Sequence, residues 1–235
     1  QWKHFFNDHS KKYIKIVNLE RRGNRRIAMK ETLKNAGIGE YEFIKACDGK
    51  TLKATTEMKH LFKGNDFKNQ RGMVGCAMSH YNLWKRLIND PDHEFYLIFE
   101  DDLKLCDNFH SKLNSLLIEL EGDPKWDIVY LGFREYYMNS KDIEVSNTLI
   151  QFASEGNTGG GTYAYIIRKK GAKKLVDIAN KEHIKRGLDW FMIGTFDRIV
   201  AYKCNPELVS TEVALMTAQD TDIVDTEIRD PWLDS

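Results

Sequence analysis

The chain has 235 residues, 42% of them hydrophobic, enough to bury a substantial core, and one domain spanning 1–235 is expected, excised from a longer chain or whole. Lys+Arg and Asp+Glu both number 35, so no net charge draws the protein to nucleic acid or to a membrane surface, and any ligand must be held by local groups. The four cysteines are widely spaced with no C-x-x-C pair, which argues against a zinc site or a disulfide scaffold, and no apolar run reaches the roughly 18 to 20 residues that would span a bilayer.

In chain order, Tyr13 to Leu19 has the β-branched enrichment of a strand, and Asn24 to Ala36 reads as a helix stopped by Gly37. Tyr41 to Ala46 is a second strand closed by the turn Asp48-Gly49, so a β-α-β unit opens the chain. A weaker helix covers Thr56 to Phe62. From Val74 to Ile88, apolar residues at three- and four-residue steps predict a buried helix. Phe95 to Phe99 (FYLIF) is a continuous apolar run suited to a strand covered on both faces, and it stops at Glu100-Asp101-Asp102. A helix over Phe109 to Leu120, strands over Trp126 to Leu131 and Tyr163 to Ile167, and a helix over Lys169 to Ala179 follow. The alternation predicts an α/β fold with a mostly parallel sheet flanked by helices. Arg134 to Ser146 and the glycine-rich Gly156 to Gly161 read as irregular.

Ligands of open α/β sheets bind beyond the carboxyl ends of the strands, where the acidic triplet falls. Three adjacent carboxylates repel one another unless a cation offsets them, and hard oxygen ligands suit Mg²⁺ or Mn²⁺ bridging phosphates; a solvated acidic turn is the alternative. Arg21, Arg22, Arg25 and Arg26 lead into the first helix, where guanidinium groups and free N–H groups could hold an anion, or could form an ordinary solvated face. Asp48 stands where such folds place an acid against a ribose or base, although turn chemistry explains Asp-Gly equally well. Asp189 sits in aromatic company near the start of a short helix, as a base or as a simple N-cap, and His80 fits a satisfied buried histidine.

Seven segments in this order resemble glycosyltransferase family 25, which includes lipopolysaccharide galactosyltransferases and procollagen hydroxylysine galactosyl- and glucosyltransferases. They are Ile16-Val17-Asn18-Leu19-Glu20-Arg21-Arg22 with Arg25; Ala46 to Gly49; Gly75 to His80 with Leu83-Trp84; Phe99 to Asp102; Asp127 to Gly132; Tyr163 to Tyr165 with Lys170-Gly171-Ala172; and Asp189-Trp190-Phe191. The resemblance implies a GT-A-type, Rossmann-like fold, a UDP-hexose donor and inversion at the anomeric carbon. It implies a Mn²⁺ or Mg²⁺ ion on Glu100 and Asp102, the outer acids of a D-x-D-like element that here begins with Glu, with Asp222 a further contributor. Asn18, Arg21, Arg25, Asp48, His80 and Asp101 fall to the donor, and Asp189 to the catalytic base. Thr211 stands where the family tends to have Gln.

The implied acceptor is a hydroxyl of a lipopolysaccharide sugar or of collagen hydroxylysine, with Arg134 to Ser146 and Gly156 to Gly161 as acceptor contacts or a lid. The compartment would be cytoplasmic for a bacterial-type chain and the endoplasmic reticulum lumen for part of a collagen-modifying enzyme. A phosphotransfer domain fits poorly, because its acids belong near the first strand and Asp102 is followed by Leu103-Lys104. A non-catalytic sugar-nucleotide-binding module of the same fold is the other alternative.

Overall fold

The computed structural model describes residues 12–211 and 231–233. Strand β1 (Ile14–Asn18), helix α1 (Gly23–Asn35) and strand β2 (Glu42–Lys45) form the opening β-α-β unit, with β1 and β2 parallel. Helices α2 (Thr56–Leu61) and α3 (Arg71–Asn89) lead to β3 (Phe95–Phe99), which pairs parallel with β1. After β4 (Leu103–Leu105) and α4 (Phe109–Glu121) comes β5 (Ile128–Tyr130). An excursion with short strands β6 (Arg134–Glu135), β7 (Ile143–Glu144), β8 (Leu149–Gln151) and β9 (Gly159–Gly160) separates β5 from β10 (Ala164–Arg168). Helices α5 (Lys169–Glu182) and α6 (Leu188–Ile193) and strands β11 (Ala201–Cys204) and β12 (Val209–Thr211) follow.

The main sheet has eight strands in the order β2-β1-β3-β10-β5-β11-β8-β7. From the pairings, β10 and β8 run against the other six, so the sheet is mostly parallel as expected. The reversal of β10 departs from simple alternation. Between β5 and β10 the chain adds only the antiparallel pair β7 and β8 at the far edge of the sheet and comes back to the carboxyl end, so β10 enters against its neighbours without the crossover that a parallel one requires. Arg134 to Ser146 is likewise more ordered than expected, since β6 pairs with β9 and β7 with β8. These strands, with β4, β11 and β12, are too short or too polar to carry a readable period.

Side-chain alternation divides the core between the two faces of the sheet. Phe95, Leu97 and Phe99 pack with Met29 and Leu33 of α1 and with Leu113 and Leu117 of α4, while Tyr96 and Ile98 join Trp84 of α3 and Leu175 of α5. Beneath this, the fully buried Asp127 ties three strands to a helix. Its Oδ2 accepts from Lys174 Nζ (2.7 Å) and from the Val200 N–H (2.8 Å), and its carbonyl accepts from the Arg168 N–H (3.0 Å).

Removing that carboxylate leaves the Val200 N–H without its acceptor. Asp127→Ala is therefore expected to cost about 1–3 kcal/mol of folding stability, and Asp127→Asn less, because its amide oxygen still accepts from Val200. Denaturant unfolding measures both; a wild-type midpoint for the alanine variant would contradict this role.

Candidate active site

The carboxyl ends of β1, β2 and β3 open into a cavity of about 460 Å³. One wall is built by a close approach of backbones. A Cβ on Gly75 of α3 would lie 2.5 Å from the Cys47 carbonyl, so only glycine lets the helix start reach the Asp48 turn. Ser79 completes the joint: its Oγ accepts from the Cys47 N–H (2.8 Å) and donates to the Gly75 carbonyl (2.7 Å). Asp48, fixed in this way, accepts from Arg21 Nε at 2.8 Å, and both side chains line the cavity. Of the other arginines, Arg26 lies over the Phe43 ring, 4.4 Å from its centroid, whereas Arg25 reaches the acidic triplet.

The triplet begins where β3 ends. The Glu100 N–H donates to the Tyr163 carbonyl (2.9 Å), which carries the β3–β10 pairing to the first acid. The three carboxylates then take different partners. Asp101 is held on both oxygens, Oδ2 by Asn18 Nδ2 (2.6 Å) and Oδ1 by Arg25 (3.2 Å). Asn18 is itself buried behind Asp101. Burial raises the Asp101 pKa above its ordinary value, against the pull of Asn18 and Arg25. Asp102 receives one contact from Arg25 at 3.3 Å, while its Oδ1 is buried without a hydrogen-bond partner. Burial, then the Glu100 charge, push its pKa up to about 7 despite Arg25. Glu100 approaches His80 Nε2 at 3.5 Å. The orphaned Asp102 oxygen and the neighbouring Glu100 carboxylate are hard donors, and they fit a divalent cation with oxygen preference.

Asp189 lines the same cavity from the first turn of α6. Its Oδ1 accepts from the backbone N–H groups of Gly161 (3.0 Å) and Thr162 (3.1 Å). A Cβ on Gly160 would fall 2.5 Å from the Asp189 carboxyl carbon, so β9 presses bare backbone against it. Burial raises the Asp189 pKa, opposed by those two N–H groups. The carboxylate is thus oriented through one oxygen by backbone that follows β9.

The structure brings together Arg21, Arg25, Asp48, His80, Glu100, Asp101, Asp102 and Asp189 on one cavity. Asn18 supports Asp101 from beneath, and Asp222 lies outside the described residues. Thr211 also lines the cavity, and its hydroxyl donates to the Asp102 carbonyl at 3.4 Å. The sequence reading gave Arg134 and Tyr136 a role only through their segment, as acceptor contacts or a lid, and gave no role to Cys76, Tyr163 or Trp190, all of which line the same space. Cys76 left a signal in its spacing, standing one helical turn before His80, and Tyr163 and Trp190 lie in segments that carry the family resemblance.

A glycosyltransferase family 25 (LPS biosynthesis protein) model matches residues 10–192, a span that contains every one of these cavity residues except Thr211. The chain belongs to glycosyltransferase family 25. Procollagen galactosyltransferase 1-A of Xenopus laevis is 33% identical over 171 residues, 69% of this chain and 27% of that protein. A protein of Acanthamoeba polyphaga mimivirus that bears a provisional glycosyltransferase name is 30% identical over 170 residues, 70% of this chain and 52% of that protein. The inactive glycosyltransferase 25 family member 3 of Mus musculus is 28% identical over 243 residues, 93% of this chain and 40% of that protein. The family 25 chain therefore spans about half the mimivirus protein and about a quarter of the Xenopus one. Among its described residues, no helix is long and apolar enough to cross a membrane.

The state of Asp102 has a measurable consequence. With a folded pKa of about 7 against roughly 4 unfolded, the native chain binds the proton more tightly, so stability from this group is lost as pH rises between those values. In a chelator, Asp102→Asn is expected to raise the melting temperature by an amount that grows from about pH 4 to about pH 7 and is level above. A decrease with rising pH would show that the carboxylate is stabilised in the fold.

Proposed function

We propose that this family 25 chain transfers galactose or glucose from a UDP-sugar to a hydroxyl acceptor, with inversion. One observation carries the reading: Asp189, an oriented carboxylate, shares a cavity with Glu100 and with Asp102, whose Oδ1 is buried without a hydrogen-bond partner although Arg25 reaches its other oxygen. The family resemblance supports the UDP-sugar donor. The Xenopus relative's name supports galactose, and collagen as one acceptor beside the glycan acceptor that the family description suggests.

Glu100 and Asp102 would hold a Mn²⁺ or Mg²⁺ ion, which when bound would offset the charge of the diphosphate. Arg25, already among the acids, and Arg21, paired with Asp48, bind and orient the donor beside the carboxyl end of β1. Asp189 takes the proton of the acceptor hydroxyl as that oxygen forms the new bond to the anomeric carbon. The bond from that carbon to the diphosphate oxygen breaks, and UDP leaves with its electron pair. Burial makes the Asp189 carboxylate more proton-seeking than an exposed one, which suits a base. Tyr136 and Trp190, exposed residues that line the same cavity, offer flat apolar faces to the acceptor.

The likeness to the inactive mouse relative favours a second reading, a module that binds the sugar nucleotide without transfer. Two measurements separate them. Calorimetry is expected to show UDP binding with Mn²⁺ and its loss in EDTA; equal affinity in both removes the ion from Glu100 and Asp102. Asp189→Asn keeps shape and removes basicity, so transfer is expected to fall by roughly 10² or more with UDP binding retained. Wild-type UDP binding with no transfer to any sugar or hydroxylysine acceptor would establish the non-catalytic module, and undiminished transfer in the Asn variant would move the base elsewhere.

A further inference from the structure

Beside the oxygen-rich triplet lies a cluster of different chemistry. Cys76 and His80 are four residues apart on α3 and project from one face of the helix, and Glu100 meets them from the end of β3. One ligand atom from each, sulfur, imidazole nitrogen and carboxylate oxygen, lies within 4.8 Å of the others. His80 Nε2 and Glu100 Oε1 are 3.5 Å apart. Ligands about 2.0–2.3 Å from a tetrahedral ion stand roughly 3.3–3.8 Å from one another, so this pair already has the spacing of two corners.

His80 is fully buried, and its Nε2 has no hydrogen-bond partner although it is aimed at the cluster. Its other nitrogen, Nδ1, lies 2.8 Å from the Tyr165 hydroxyl, which also accepts from Trp84 Nε1 at 3.0 Å. That hydroxyl can accept from Nδ1–H as well, which fixes the ring and leaves the Nε2 lone pair for an ion, the outer support that metal-binding histidines have. Cys76, His80 and Glu100 all line the cavity, so a fourth position opens into it.

We propose that Cys76, His80 and Glu100 form a zinc site with an open fourth position. Thiolate and imidazole favour Zn²⁺ over Mg²⁺ or Mn²⁺, and three protein ligands with one vacant corner suit it. The absence of a C-x-x-C pair excludes only sites whose thiolates are sequence neighbours; here a helix supplies two ligands and the sheet supplies the third. Glu100 is common to this site and to the donor ion, so the two ions compete. That competition rests on the proposed function, whereas the zinc site itself does not.

The test is therefore made without nucleotide, so that failure of the donor reading and failure of the zinc site are told apart. The full chain, stripped of metal and kept in a non-thiol reductant, is titrated with Co²⁺. One equivalent is expected to produce the intense near-ultraviolet thiolate-to-cobalt band and the visible bands of a tetrahedral ion, both erased by one equivalent of Zn²⁺. Cys76→Ser should lose the thiolate band, Cys106→Ser should keep it, and His80→Ala should weaken Zn²⁺ binding at least roughly tenfold. A wild-type titration without the thiolate band, or a band that survives Cys76→Ser, overturns the site, and the wild-type result decides the matter even where a variant fails to fold.

Discussion

The architecture depends on the burial of β3 on both faces. Its five side chains alternate between the two halves of the core, and each contributes on the order of 1.5–3 kcal/mol by leaving water. This strand joins the parallel β-α-β half to the reversed β10, and its carboxyl end cannot shift without unpacking both faces. The acids that follow are consequently fixed in a place where charge is costly. They persist there because Asn18 and Arg25 satisfy Asp101 and part of Asp102, and the remaining Asp102 oxygen, buried without a partner, is the one the proposed ion would take up.

Much of this was legible in the sequence because burial writes strong patterns. Phe95–Phe99 has the same ends in the expected and observed strand, and the helix expected over Val74 to Ile88 is α3, extended at its amino end. The acidic triplet, Asp48 and Asp189 converge because each follows or begins an element whose position the sheet dictates. Other features left no periodic trace. Strands β4 and β12 are three residues long and find each other across more than a hundred residues, so pairing rather than local propensity determines them. The direction of β10 depends on which edge the chain re-enters, and that is a property of the path between elements.

The segments that carry the family resemblance divide into two kinds. Gly75 and Ser79 shape the Asp48 turn, and Asp127 with Gly171 locks α5 onto the sheet, where a Cβ on Gly171 would come within 2.5 Å of the Asp127 carbonyl. Ser79 also reaches the cavity wall, whereas Gly75, Asp127 and Gly171 act through what they position. Asn18 belongs with them, since its amide is spent on Asp101. Arg21, Arg25, Asp48, Glu100, Asp102 and Asp189 face the cavity directly. Sequence similarity alone weights both kinds equally, and only burial and partners separate them.

The excursion between β5 and β10 leaves and re-enters the sheet at one edge, and it is moored in the middle by Lys203, whose Nζ lies 2.5 Å from Glu135 and 2.8 Å from Asp142. No crossover helix passes through it. The turns between its short strands can therefore drift in length and composition without moving β1, β3, β5 or β10 or where the acids stand. Tyr136, Tyr137 and Met138, all exposed, are carried on this segment. A lineage can in this way acquire new recognition surfaces by exchanging these turns while inheriting the central strands intact.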